Sequence, residues 1–157
     1  MEQVAQALTA KGWRMATAES CTGGLIAARC TDRAGSSTWF ERGFVTYSNE
    51  SKHELLGVPE HLIATHGAVS QAVACAMAEG GLHRSHAQVC VAVTGIAGPG
   101  GAVPGKPVGT VWMGWAVAGT PEVGSRLLKL SGDRSTIRLS TVELALRQVL
   151  KIAEAKA

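Results

Sequence analysis

No apolar stretch in this chain approaches the roughly 18 uncharged residues that cross a bilayer. Its amino terminus, Met1 to Gly12, alternates polar and apolar residues where a signal peptide would carry an apolar core. Both absences predict a soluble, unsecreted, cytoplasmic protein with no membrane partner. The four cysteines, Cys21, Cys30, Cys75 and Cys90, form no Cys-x-x-Cys pair, which excludes a disulfide framework and a zinc knuckle and fits a reducing compartment. Charge of one sign is also missing. A net +3 spread over 15 basic and 12 acidic residues lacks the clustered basic face of a nucleic-acid binder, so the expected partner is at most a small anionic molecule. Of the five histidines, only His83 and His86 have a spacing that could share a metal. With no acidic or cysteine partner beside them, they read as solvated helix-end residues, and neither metal nor cofactor is expected. Repeats, low-complexity tracts and linkers are absent too.

What is present is a hydrophobic fraction of 46% in 157 residues, enough for the core of one domain spanning 1–157. Val4, Ala5 and Leu8 stand at helical spacing over 2–11, and Gly12 is a natural left-handed stop. A strand is predicted over 13–18, then a helix entered through Gly23 and Gly24, then a second strand over 39–47 beyond the Ala34-Gly35-Ser36-Ser37 turn. Helices follow over 50–56, from Pro59 to Gly67, and from the N-cap Ser70 to about His83. The β-branched run 89–93 reads as a central strand buried on both faces. Segments 108–117 and 124–130 read as an antiparallel hairpin, and a last helix starts near Asp133 and runs to the end. These elements make an α/β fold, a three-layer α/β/α sandwich with a mixed sheet of about five strands.

Several segments invite chemistry. Gly100 to Lys106 matches the spacing G-x-x-x-x-G-K, but Pro107 stands where a phosphate loop needs a magnesium-binding hydroxyl, and a strand follows where a helix should. The loop from Gly95, through Gly98, Gly100 and Gly101, remains either a close approach to a ligand or a flexible connection. Ser20, after a strand and before a glycine-led helix, is either an N-cap or a nucleophile whose oxyanion faces the amides of Cys21, Thr22, Gly23 and Gly24. Cys21 competes with it, although no neighbouring histidine would activate the thiol. Thr46 to Lys52 packs hydroxyls, an amide and an amine into one strand-to-helix turn, either a polar cap or a base able to deprotonate serine. Arg134, with Arg138 one turn on, is either a phosphate ligand at a helix start or surface charge.

The segments 18–24, 40–49, 66–70, 94–101, 106–111 and 132–134, together with Lys52, closely resemble the CinA carboxyl-terminal domain family of nicotinamide-nucleotide amidases, in order and over almost the whole chain. The resemblance implies hydrolysis of nicotinamide mononucleotide to nicotinic acid mononucleotide and ammonia, without metal, in pyridine-nucleotide salvage. It implies a homo-oligomer, and it carries the family's catalytic serine, tyrosine and lysine onto Ser20, Tyr47 and Lys52. Longer members bear an added amino-terminal domain, for which this chain, beginning one short helix before Ser20, is not expected to have room. The mechanism that follows has Ser20 attack the carboxamide while Lys52 and Tyr47 relay its proton. Two alternatives remain: a non-catalytic nucleotide-binding regulatory module, and an amidase acting on another carboxamide.

Overall fold

Val89, Val91 and Val93 pack into one apolar layer, while Cys90 and Ala92 pack into the other. Such two-sided burial is what a continuous β-branched run requires of a strand. In the computed structural model, which describes residues 1–155, this segment is the middle strand of a five-stranded sheet. The strands are β1 (Met15–Glu19), β2 (Phe40–Val45), β3 (Val89–Gly95), β4 (Thr110–Val117) and β5 (Gly124–Lys129), in the spatial order β2-β1-β3-β4-β5. β1 runs parallel to both β2 and β3, whereas β4 is antiparallel to β3 and to β5, so the sheet is mixed as expected.

Helices cover both faces. On one lie α1 (Glu2–Ala10), α2 (Leu25–Thr31) and α6 (Arg134–Glu154), whose Val4, Leu8, Ile26, Ile137, Val142 and Val149 meet the valines of β3. On the other lie α3 (Asn49–Leu56), α4 (Glu60–His66) and α5 (Gln71–His83), where Leu56, Val73 and Met77 meet Ala16, Ala18, Cys90 and Ala92. Small residues on that face let α5 sit close. A Cβ added at Gly114 of β4 would stand 2.4 Å from the Ala74 carbonyl oxygen, so a side chain there would push the helix off the sheet.

Several boundaries differ from the sequence expectation by a residue or two, and three of them have a clear local reason. α2 starts at Leu25 and not at Gly23, because Gly23 and Gly24 take φ of 59° and 99°, outside the right-handed helix. β4 starts at Thr110 and not at Val108, because the Thr110 amide folds back onto the Pro107 carbonyl. α6 ends at Glu154, since Ala155 turns to ψ 129°; residues 156–157 of the expected helix lie outside the described residues. No helix among the described residues is long and apolar enough to cross a membrane.

Candidate active site

In an open α/β sheet, ligands bind beyond the carboxyl ends of the parallel strands, and here three such ends converge. The Ser20 amide donates to the Val93 carbonyl at 3.0 Å and the Thr46 amide to the Glu19 carbonyl at 2.8 Å, so the ladder fixes both residues one step past their strands. A cleft of about 190 Å³ opens there, lined by Ser20, Cys21, Tyr47, Lys52, Thr94 and Arg134, among others. A larger hollow of about 400 Å³ between α1 and α6 has no serine, cysteine, lysine or histidine on its wall.

Lys52 is the least expected of these side chains in its setting. Ser48 caps α3, its hydroxyl accepting from the Ser51 amide, and this turn brings Lys52 back under the cleft. The residue is 1% exposed. Its Nζ lies 3.1 Å from Ser20 Oγ and donates to the carbonyls of Thr46 at 2.9 Å, Tyr47 at 3.3 Å and Ser48 at 3.4 Å. Burial, which penalises the ammonium, lowers its pKa from the ordinary 10.5; attraction to Cys21 and Glu50 opposes that only in part. A neutral amine has two N–H donors for carbonyls and one lone pair, which is what a hydroxyl proton needs.

Cys21 lines the same cleft. Burial, reinforced by the negative Glu19, pushes its thiol up to about 11, leaving the thiolate scarce at neutral pH.

The sequence reading missed the part played by Glu19. This fully buried carboxylate accepts from Thr22 Oγ1 at 2.7 Å, the Ile26 amide at 2.8 Å, the Ala27 amide at 2.9 Å and Thr17 Oγ1 at 3.1 Å. It therefore occupies the amino terminus of α2, whose first amides are spent on it and not on a substrate oxyanion. A lone charged residue in a fully buried strand was the available signal. Its two amide partners, Ile26 and Ala27, stand seven and eight residues away, beyond the reach of local capping rules.

The remaining expected residues divide. The Gly23 amide closes the turn onto the Ser20 carbonyl at 3.0 Å, and Thr22 is enclosed; among the described residues the amides of Cys21, Thr22 and Gly24 donate to no protein carbonyl. Tyr47 is 61% exposed at the rim, its hydroxyl accepting from Arg134 Nη2 at 3.2 Å, with no hydrogen bond to Ser20 or Lys52; only its carbonyl reaches the lysine. Arg134 also donates to the Gly98 carbonyl at 2.8 Å, so it joins the rim to the glycine loop. Gly95 lines the cleft, whereas Gly100 and Gly101 are exposed and outside its lining. The G-x-x-x-x-G-K stretch is a tight turn in which Val103 and Lys106 exchange two hydrogen bonds, and Lys106 Nζ is held by the His66 carbonyl at 2.8 Å. Arg138 is outside the cleft lining and turns to backbone, its guanidinium donating to the carbonyls of Cys21 and Thr22. Among the described residues, no group of three histidine, cysteine, aspartate or glutamate side chains is placed to hold a metal ion.

Residues 1–153 match the CinA C-terminal domain. The chain belongs to that family. It is 52% identical over 149 residues to the nicotinamide-nucleotide amidohydrolase PncC of Enterobacter agglomerans, covering 95% of this chain and 90% of that one. The protein of the same name from Escherichia coli K12 is 51% identical over 146 residues, covering 93% and 88%. Among solved structures, the competence/damage inducible protein CihA of Agrobacterium tumefaciens superposes with a TM-score of 0.94 at 44% identity, over 98% of this chain and 93% of that one.

Proposed function

We propose that the protein hydrolyses the carboxamide of nicotinamide mononucleotide to nicotinic acid mononucleotide and ammonia, with Ser20 as nucleophile and Lys52 as its base. The observation that carries this is the buried amine 3.1 Å from the Ser20 hydroxyl, with its pKa lowered. The activity for which two relatives at about half identity are named points to the substrate.

In the first step Ser20 Oγ bonds to the carboxamide carbon as its proton passes to Lys52 Nζ, and the carbonyl π pair moves onto oxygen. The Cys21 amide, beside the nucleophile and with no carbonyl acceptor among the described residues, is the donor we assign to that oxyanion. The C–N bond then breaks, Lys52 returns the proton to the leaving nitrogen, and ammonia departs from an acyl-serine. Water attacks this ester with Lys52 again as base, releasing the acid and restoring the serine hydroxyl. Tyr47 we place at the rim as a wall for the substrate, since Arg134 holds its hydroxyl and the direct Ser20–Lys52 contact completes the proton path. Metal independence, a homo-oligomeric state and a cytoplasmic location belong to the same proposal and rest on the family resemblance.

The test is a panel assay of ammonia release from nicotinamide mononucleotide, nicotinamide riboside, nicotinamide and unrelated carboxamides. Preference for the mononucleotide supports the proposal. Turnover of another amide alone would reassign the substrate, and no release from any would leave a binding module.

A further inference from the structure

Arg138 lies one turn into α6 from the Arg134 that borders the cleft, yet its guanidinium points at backbone. Its Nε donates to the Cys21 carbonyl at 3.1 Å and its Nη2 to the Thr22 carbonyl at 3.0 Å. These carbonyls belong to the turn that follows Ser20. A trans peptide directs its C=O and N–H to opposite sides, so a cation holding two successive carbonyls fixes the orientation of both peptide planes. The second of them carries the Gly23 amide, which is thereby aimed at the Ser20 carbonyl, 3.0 Å away. That bond in turn orients the Ser20–Cys21 peptide, whose N–H is the Cys21 amide. Across the same turn, Glu19 holds Thr22 Oγ1 at 2.7 Å, and with it the first amides of α2.

We infer that Arg138 is a positioning residue, which by gripping the Cys21 and Thr22 carbonyls holds the Cys21 amide in the direction of the oxyanion formed on Ser20. The inference rests on the amidase proposal above and adds to it a residue that touches no substrate. A guanidinium suits the task because its planar fork offers two rigid, parallel donors to two neighbouring oxygens, which the single ammonium of a lysine cannot match. The grip matters more in the transition state than in the ground state, since the amide's partner becomes a full oxyanion only then.

The experiment compares wild type, Arg138→Met and Arg138→Lys in the full chain. Steady-state kinetics on nicotinamide mononucleotide are measured with the affinity for nicotinic acid mononucleotide and for a substrate analogue bearing an aldehyde in place of the carboxamide. The aldehyde adds reversibly to Ser20 and creates the tetrahedral oxyanion. Arg138→Met is expected to lower kcat about 10- to 100-fold, since removing an oxyanion donor outright costs on the order of 100- to 1000-fold. Aldehyde affinity should fall in parallel with kcat/KM, while KM and affinity for the acid product change by less than about threefold. Arg138→Lys should fall between Met and wild type. A staple that only stabilises the fold would lower the melting temperature and product affinity without singling out the aldehyde, and that result overturns the inference. Undiminished kcat in either folded variant overturns it as well, and Arg138→Lys alone decides if Arg138→Met does not fold. A wild type that releases no ammonia removes the amidase proposal and the inference together, whereas active wild type with fully active variants removes only the inference.

Discussion

The Nζ of Lys52 faces the hydroxyl of Ser20 at 3.1 Å from a position 1% exposed, and its other partners among the described residues are three backbone carbonyls. Among the described residues no carboxylate hydrogen-bonds the amine to hold it charged. Because burial lowers its pKa, the neutral form appears at lower pH than in an ordinary lysine. Turnover should rise with pH along a limb set by Lys52, with an apparent pKa below 10.5. Lys52→Arg stays protonated at every accessible pH and should lose at least about a hundredfold in kcat. A pH–rate profile whose acid limb survives in Lys52→Arg at comparable kcat would take the lysine out of the mechanism.

The same residue predicts a stability profile. A folded-state pKa below the unfolded value means that the unfolded chain binds more protons between the two. The cost of burying the ammonium is therefore present in full below the folded pKa and relieved as pH rises toward 10.5. Urea midpoints measured across that window should climb more steeply with pH in wild type than in Lys52→Met. Parallel curves would show that the amine is not desolvated as described.

Each carboxylate oxygen of Glu19 accepts from one threonine hydroxyl and one backbone amide. In Glu19→Gln the amide nitrogen must face one or more of those donors, so a loss of about 3 kcal/mol in unfolding free energy is expected. Urea denaturation at an unchanged m-value would measure it. A shift below about 0.5 kcal/mol would mean that the carboxylate is not what ties α2 to β1.

Arg134 stands at the rim with Tyr47 and the glycine loop, exposed, and with part of its donor fork uncommitted. Losing two or three charge-assisted bonds to a phosphate, each on the order of 1.5 to 3 kcal/mol, should cost two or more powers of ten in specificity. Nicotinamide mononucleotide should accordingly exceed nicotinamide riboside in kcat/KM by at least about a hundredfold, and Arg134→Ala should narrow that gap. Tyr47→Phe should cost less in kcat than Lys52→Met. Equal efficiencies toward nucleotide and nucleoside would refute a phosphate subsite.

Much of the fold was legible because burial leaves a periodic trace. The valines of β3 and the spacing of Val4, Ala5 and Leu8 in α1 located both elements to within a residue or two. Element ends were less legible, because positive φ at Gly24 and the back-folded Thr110 amide are conformations that no residue type dictates alone. Within the site, Ser20 and Lys52 were marked by family motifs, while their 3.1 Å contact is a product of the β1–β2 ladder and the Ser48 cap. Arg138 was read as a phosphate ligand or as surface charge. Its two backbone acceptors lie more than a hundred residues away in sequence, and only the packing of α6 on α2 brings them together.

Ser20 is the nucleophile we propose for hydrolysis of the nucleotide amide. The most direct measurement follows ammonia and nicotinic acid mononucleotide together in chelator-treated protein, for wild type, Ser20→Ala and Cys21→Ala, with nicotinamide mononucleotide as substrate. Wild type and Cys21→Ala should release both products in equal molar amounts at rates within about tenfold of each other, and a folded Ser20→Ala that still binds the nucleotide should lose several powers of ten. More than about a tenth of wild-type activity in Ser20→Ala, with Cys21→Ala inactive, would contradict that assignment.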